Sequence, residues 1–387
     1  MKFTPKYRNK IDQTGELNNI KYSFLYYIPF YIIRDFFLNK APIQIPLHFS
    51  NKGYNSILVV GKINTSLDNK IKIIETGNIG TNIRGTYNPI THIKEFYTGI
   101  NLVNNLKPDI SIFQGNYPTN ILIVGIIKIF CLIKRQKTNK VKLKLDWDGE
   151  FKRYPIILRF LYAINLLIAG TLFDEITIET ECAYEKLKAM PIVGKKLKFI
   201  PNTISDEYFP VKPYFNGKRE NLIISVTRVT DSKGIDILIK LFSESIKVVP
   251  NWKLTIIGPI IQESYYEKLK DTIRELGLEN KINFSGKLIG EKLDNYYSIA
   301  SIFCFLSKGE SFSLARSEAI ASGIPVLTTN AACGEKFKGG IFVPDDDIEA
   351  QKIALLSLMQ STELRVRLVE EGQKHLRSWD EIMKLLL

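Results

Sequence analysis

Ser301 to Asn330 reads SIFCFLSKGESFSLARSEAIASGIPVLTTN. An apolar run ends in a small polar loop at Lys308-Gly309, and Ser313 stands where an N-cap opens a helix. Gly323 with Pro325 then closes that helix before a second apolar run. This punctuation gives strand, loop, helix and strand. Two carboxylates fall within it, Glu310 in the loop and Glu318 in the second helical turn. Both would lie near the carboxyl end of a strand and a helix amino end, where ligands collect in open α/β sheets.

The alternation continues toward the amino terminus. NLIISVTRV is a strand, DSKGIDILIKLFSESIKVV a loop and helix, WKLTIIGP a strand, SYYEKLKDTIRELGL a helix, KINFSGK a strand and EKLDNYYSIAS a helix. Arg228 follows the first of these strands, and Lys233 comes immediately before Gly234 and the next helix. Two cations at the mouth of a parallel sheet, beside a helix amino end, suit a diphosphate. Beyond the opening stretch, a helical segment from about Glu349 to Leu387 is interrupted near Gly372. It ends in an amphipathic tail, Trp379 to Leu387, that needs a surface to cover it.

A first alternating block precedes this one. SILVVGKI, KIKIIET, DISIFQG, VKLKLDWDGE, DEITIET and KLKFIPNTI read as strands. Helices are expected at about 90–106, 118–133 and 155–171 and in ECAYEKLKAM. Strands alternating with helices imply a parallel sheet with right-handed crossovers. The aromatic run from Tyr22 to Phe37 is expected to be a helix, packed on the domain or dipping into a lipid interface. Residues 206–219, DEYFPVKPYFNGKR, carry Pro210, Pro213 and Gly217 without periodicity and read as a linker. The expected domains are therefore 1–205, a linker at 206–219, and 220–370, with residues 371–387 returning to pack on the first domain.

Composition bounds the partners. The chain has 387 residues, 45% of them hydrophobic, and a formal charge of +13, which argues for a globular protein with an anionic partner. Cys131, Cys182, Cys304 and Cys333 show no CxxC or metal-like spacing, so reduced thiols and a cytoplasmic setting are expected. The amino-terminal sequence lacks the short apolar run of a secretory signal. Three apolar stretches, 20–38, 121–133 and 155–173, carry Lys or Arg or are too short to span a bilayer; they read as buried or interfacial helices.

GESFSLARSEAIASGIPVL is similar to the E-x7-E signature of family 4 retaining glycosyltransferases, with Glu310 and Glu318 as its two carboxylates. ISVTRVTDSKGID resembles that family's strand followed by Arg and Lys-Gly, and FIPNTISDEYFP its Pro-Asn-Gly turn at the domain junction. The resemblance covers about residues 197 to 375 closely. It implies the GT-B architecture, two Rossmann-like doubly wound domains facing across a cleft. It also implies a hexosyltransferase with a nucleoside diphosphate sugar donor, a glycan or lipid-linked acceptor on the first domain, and no metal cofactor.

By the same resemblance Arg228 and Lys233 are the diphosphate ligands, Glu318 accepts from ribose hydroxyls and Glu310 faces the donor sugar. The backbone amides of Phe312, Ser313 and Leu314 approach sugar and phosphate. The chain departs from the family in having Ser311 and Ser313 where glycines are frequent, Thr227 before the Arg, and Thr203 in the junction turn. None of His48, His92 and His375 follows a strand end where the family's histidine would stand. Asp146 and Asp148 of LDWDGE are the candidates on that wall, for acceptor hydroxyls or for proton removal.

Other functions on the same architecture are a nucleotide-sugar epimerase or hydrolase and a non-catalytic nucleotide-sugar-binding protein. The shortage of histidine at strand ends counts against the epimerase. No RNA-binding motif is present, so nucleic acid is not an expected partner. The basic stretch Lys134 to Lys144 and the apolar helices of the first domain suit peripheral attachment to the inner face of an anionic membrane.

Overall fold

The computed structural model describes residues 22–33, 40–67, 70–77, 89–134, 139–146, 155–209, 211–214, 219–309, 312–329 and 338–387. Glu310 and Asp148 lie outside the described residues. The chain forms two compact units. One holds the described residues up to Glu179, with Ala183–Asn202 and Trp379–Leu387; the other holds Thr180–Cys182 and Thr203–Ser378.

The first unit runs β1 (Tyr22–Ile33), α1 (Ala41–Asn51), β2 (Tyr54–Ile63), β3 (Lys72–Glu75), α2 (Pro89–Leu106), β4 (Ile110–Gln114), α3 (Pro118–Ile133), β5 (Lys140–Leu145), α4 (Ile156–Leu172), β6 (Glu175–Ile178), α5 (Glu181–Lys188) and β7 (Leu197–Phe199). Its sheet is parallel, in the order β3-β2-β1-β4-β5-β6-β7. The strand order reverses between β1 and β4, which makes this a doubly wound sheet with its switch point there.

β1 corrects the helix expected over Tyr22 to Phe37. Leu25 and Tyr27 enter the core on one face of the sheet, while Phe24, Tyr26 and Ile28 enter the core on the other. A strand buried on both faces loses the polar alternation that would have marked it, so an aromatic and β-branched run of this length imitates a buried helix. Where polar atoms are carried inward they are paired: the Tyr26 hydroxyl donates to Gln114 Oε1 at 2.7 Å.

The second unit follows as β8 (Leu222–Val226), α6 (Ile235–Ser245), β9 (Lys253–Ile257), α7 (Glu263–Glu275), β10 (Ile282–Gly286), α8 (Glu291–Ile299), β11 (Ile302–Phe305), α9 (Leu314–Ala321), β12 (Val326–Thr329), β13 (Gly340–Val343), α10 (Ile348–Gln360) and α11 (Thr362–Gln373). The parallel sheet order is β10-β9-β8-β11-β12-β13, with its reversal between β8 and β11. β13 was not expected from the sequence. The single helical segment expected from Glu349 is instead divided at Ser361, whose hydroxyl accepts from the Leu364 amide at 3.1 Å and so starts a new helix.

α12 (Trp379–Leu386) belongs to the first unit. Trp379, Ile382, Met383 and Leu386 are buried in the core that includes Phe24, Phe49 and Leu58. Lys142, buried in the middle of β5, donates to Glu175 Oε1 at 2.8 Å and to the Leu386 carbonyl, tying the helix end to the sheet.

The stretch read as a linker is attached to the second unit in its described parts. The Lys212 amide donates to the Ala321 carbonyl at 2.7 Å. Arg219 donates to four carbonyls, those of Tyr214, Tyr297, Ala300 and Ser322, at 2.5–3.1 Å. Burial pushes its guanidinium pKa down to about 10, so it still carries its charge at neutral pH.

Cys182 is disulfide-bonded, where reduced thiols were expected; Cys131 and Cys304 are free. Spacing along the chain does not reveal pairs joined only by the fold. No helix among the described residues is long and apolar enough to cross a membrane.

Candidate functional site

The second unit gathers its candidate residues at the β8/β11 switch point. After β8 the chain continues extended beside the end of β9. The Thr227 amide donates to the Ile257 carbonyl at 2.8 Å and the Val229 amide to the Pro259 carbonyl at 3.0 Å. Arg228 lies between these two anchored residues with its side chain exposed. A short 3-10 turn, Asp231–Lys233, then leads into α6.

Lys233 is buried, which is unusual for a lysine. Its Nζ reaches Ser307 Oγ at 3.4 Å and lies 5.4 Å from the centroid of the Phe305 ring. Both partners come from the carboxyl end of β11. The two loops are also joined by main chain, since the Lys308 amide donates to the Ser232 carbonyl at 2.9 Å. Gly234 permits this approach. Its φ is +64°, and a Cβ there would stand 2.1 Å from the Leu306 carbonyl oxygen.

On the other side of the switch point, Ser313 is the N-cap residue of α9, as the sequence indicated, but its side chain makes no capping hydrogen bond. Leu314 opens this helix and Ser313 is its cap, so their amides are among the donors that lack an intrahelical carbonyl, while Phe312 stands just before the cap. Arg228, Lys233 and the α9 amino end therefore all follow the carboxyl ends of β8 and β11, the two strands of the switch point.

Glu318 sits one turn further along α9, half-buried, and accepts from the Tyr297 hydroxyl at 3.1 Å. Burial, then the Glu318 charge, pushes the Tyr297 hydroxyl pKa up, so it stays a donor. Tyr208, packed edge-on against Tyr297, is raised for the same two reasons. Sequence reasoning missed Ser307, Tyr297 and Tyr208. Their only sequence signal was position, at a strand end for Ser307 and on the helix before that strand for Tyr297.

The first unit has its own polar group at the carboxyl ends of β1, β4, β5 and β6. Lys144 Nζ donates to Asp146 Oδ1 and Glu179 Oε2, each at 3.0 Å. Gln114 Nε2 donates to the other Asp146 oxygen, and Asn202 Nδ2 to Glu179. Burial alone would lower the Lys144 pKa, but Asp146 and Glu179 raise it, and the ammonium stays charged. Asp146 is thus the partly exposed end of a buried charge network. The sequence indicated Asp146 but none of the residues that hold it.

Two parallel doubly wound units, each with a polar switch point, define the GT-B class of glycosyltransferase fold. HepE from Anabaena, crystallised with UDP and glucose, superposes with a TM-score of 0.65 at 13% identity over 94% of this chain and 98% of that one. Residues 211–375 match the family described as glycosyl transferases group 1. An uncharacterized glycosyltransferase of Haemophilus influenzae is 30% identical over 348 residues, 86% of this chain and 90% of that protein. A poly(glycerol-phosphate) alpha-glucosyltransferase of Bacillus subtilis is 25% identical over 206 residues, 52% of this chain and 30% of that one. The chain belongs to the group 1 glycosyltransferases.

Proposed function

We propose that this glycosyltransferase transfers a hexose, with retention of anomeric configuration, from a nucleoside diphosphate sugar to a glycan or lipid-linked glycan. The observation that carries the reading is the buried Lys233 ammonium. It is held at the β8/β11 switch point beside the amino end of α9, and Glu318 stands one turn beyond.

In this reading Lys233 and Arg228 offset the charge that develops on the departing diphosphate, and do so without a metal ion. The Lys233 ammonium is already positioned before the donor arrives, so little reorganisation is needed. The amides of Phe312, Ser313 and Leu314 add donors and the positive end of the helix dipole. Glu318, oriented by Tyr297, accepts from the ribose hydroxyls. Glu310 faces the sugar.

Acceptor contacts fall to Asp146 and Asp148. One Asp146 oxygen is ion-paired to Lys144 and the other accepts from Gln114, so both are already engaged. An acceptor hydroxyl can add a further hydrogen bond to Asp146, and Asp148 is the base in this reading. The comparisons support the donor class: the Anabaena protein was solved with UDP and glucose.

The test is a thermal-shift screen against nucleotide sugars, followed by transfer assays with the donor that stabilises the protein and NMR of the product anomer. Lys233→Ala and Arg228→Ala are expected to lower kcat/KM by at least about a hundredfold, the size seen when one charge-stabilising donor is removed. Unchanged transfer in both variants would overturn the site. Conversion of donor alone into an epimer would favour the epimerase reading.

A further inference from the structure

α4 is apolar on two opposite faces. Leu166, Ala169 and Gly170 are buried in the first unit. On the opposite side Ile156, Ile157, Phe160, Leu161, Ile164 and Ile168 are exposed, Ile156 to 78% and Phe160 to 67%. At 100° per residue these six fall within one stripe along the helix.

α3 packs beside α4 and adds a second stripe at helical spacing, Leu122, Ile129 and Ile133, with Leu132 80% exposed at its end. In the loop before β7, Ile192 is also exposed and packs close to Gly170 near the carboxyl end of α4, where a Cβ would lie 2.9 Å from Ile192 Cγ2. A contiguous apolar surface of this kind is not a feature of an ordinary solvated face.

The charges on and around it have one predominant sign. Residues 118–134 and 156–172 contain no Asp or Glu. Lys134 lies exposed with its Nζ 5.9 Å from the Phe130 ring centroid, so that its ammonium borders the patch. Arg159 is on α4, and Lys195 is exposed three residues after Ile192. Lys196 caps the carboxyl end of α4, donating to the Phe173 carbonyl at 2.6 Å. Among the described residues, Asp174, which follows α4, is ion-paired to Lys128 at 2.6 Å.

We propose that the α3–α4 face docks the enzyme on an anionic lipid bilayer, with the apolar stripes entering the headgroup boundary and the cations facing lipid phosphates. Apolar area and anionic attraction act together in such binding. A second copy of the same face fits less well, because the two helices carry cations and no Asp or Glu of their own to set opposite them. The inference deepens the transfer reading, since a lipid-linked acceptor would be presented at this surface.

The test is flotation of the full chain with phosphatidylglycerol vesicles or phosphatidylcholine vesicles, without donor or acceptor. It therefore does not depend on whether the transferase assignment is correct. The wild type is expected to float with phosphatidylglycerol and much less with phosphatidylcholine. Ile157→Glu with Leu161→Glu places two charges on the exposed stripe and should lower binding by at least about tenfold, while the melting temperature stays within about 2 °C of wild type. Lys134→Glu with Lys195→Glu should abolish the preference for the anionic vesicle. Absence of flotation by the wild type, or unchanged flotation of the Ile157/Leu161 variant, would overturn the proposal. So would a lipid-free dimer that this variant dissociates.

Discussion

Gly234→Ala tests whether the cation loop is held in place by close packing against β11. Two costs are involved, and a second glycine separates them. Gly277 has φ +66° and open space, with nothing within 4 Å of where a Cβ would stand, so Gly277→Ala meets only the left-handed backbone penalty, about 1 kcal/mol. Gly234 has nearly the same φ, +64°, but its Cβ would stand 2.1 Å from the Leu306 carbonyl oxygen and 3.0 Å from that carbonyl carbon. Neither atom belongs to a flexible side chain. The loop must therefore move away from β11, which pulls Lys233 from Ser307 and breaks the Lys308–Ser232 hydrogen bond.

Adding about 1 kcal/mol for that bond and another 1–2 for displaced packing gives roughly 3–4 kcal/mol in all. At about 2–4 °C per kcal/mol, the melting temperature should fall by about 6–16 °C, against about 2–4 °C for Gly277→Ala. Calorimetry with the nucleoside diphosphate of the donor found in the thermal-shift screen should then show at least about a tenfold loss of affinity for the first variant and none for the second. If Gly234→Ala melts like Gly277→Ala and binds that nucleoside diphosphate like wild type, the loops do not position the cation.

Tyr297→Phe keeps the buried ring and removes the donor to Glu318; affinity for the donor's nucleoside diphosphate is expected to fall by roughly tenfold with only a small change in melting temperature, as read by calorimetry. Glu175 gives a pH dependence to the first unit. Burial pushes its carboxyl up, but hydrogen bonds from Lys142 and Lys198 outweigh this and leave its pKa below the ordinary value. A depressed carboxyl pKa stabilises the fold above the unfolded value of about 4.3, and that stability is lost as pH falls through the lower folded value. Thermal melts should therefore weaken below about pH 4, and Glu175→Gln should melt lower at neutral pH with a shallower acid limb.

Much of the second unit was legible because its signals are local. An N-cap serine, a glycine after a helix and short β-branched runs between polar breaks each act within a few residues. Arg228, Lys233 and Glu318 could thus be placed on loops and helix turns from the sequence alone. β13 was missed because GIFV is only four residues long, too short for periodicity to show, although Gly339 in the turn before it has φ +115°. The first unit was less legible where burial is two-sided. β1 is apolar on both faces, and only its neighbours β2 and β4 decide that it is extended. The supporting shell was least legible of all. Lys144 pairs with Glu179 across 35 positions, and Tyr297 with Glu318 across 21, so no spacing rule connects them.

α12 has a consequence for the order in which the protein is made. Trp379 is 1% exposed in the same core as Phe24 and Leu58, yet the whole of the second unit's Thr203–Ser378 segment is synthesised between them. On the ribosome the second unit can complete its sheet while the first still has an open slot along α1 and β2. Phe24 and Leu58 thus wait for Trp379. During that interval a chaperone, or any apolar segment nearby, meets an unfilled groove that the finished enzyme does not have.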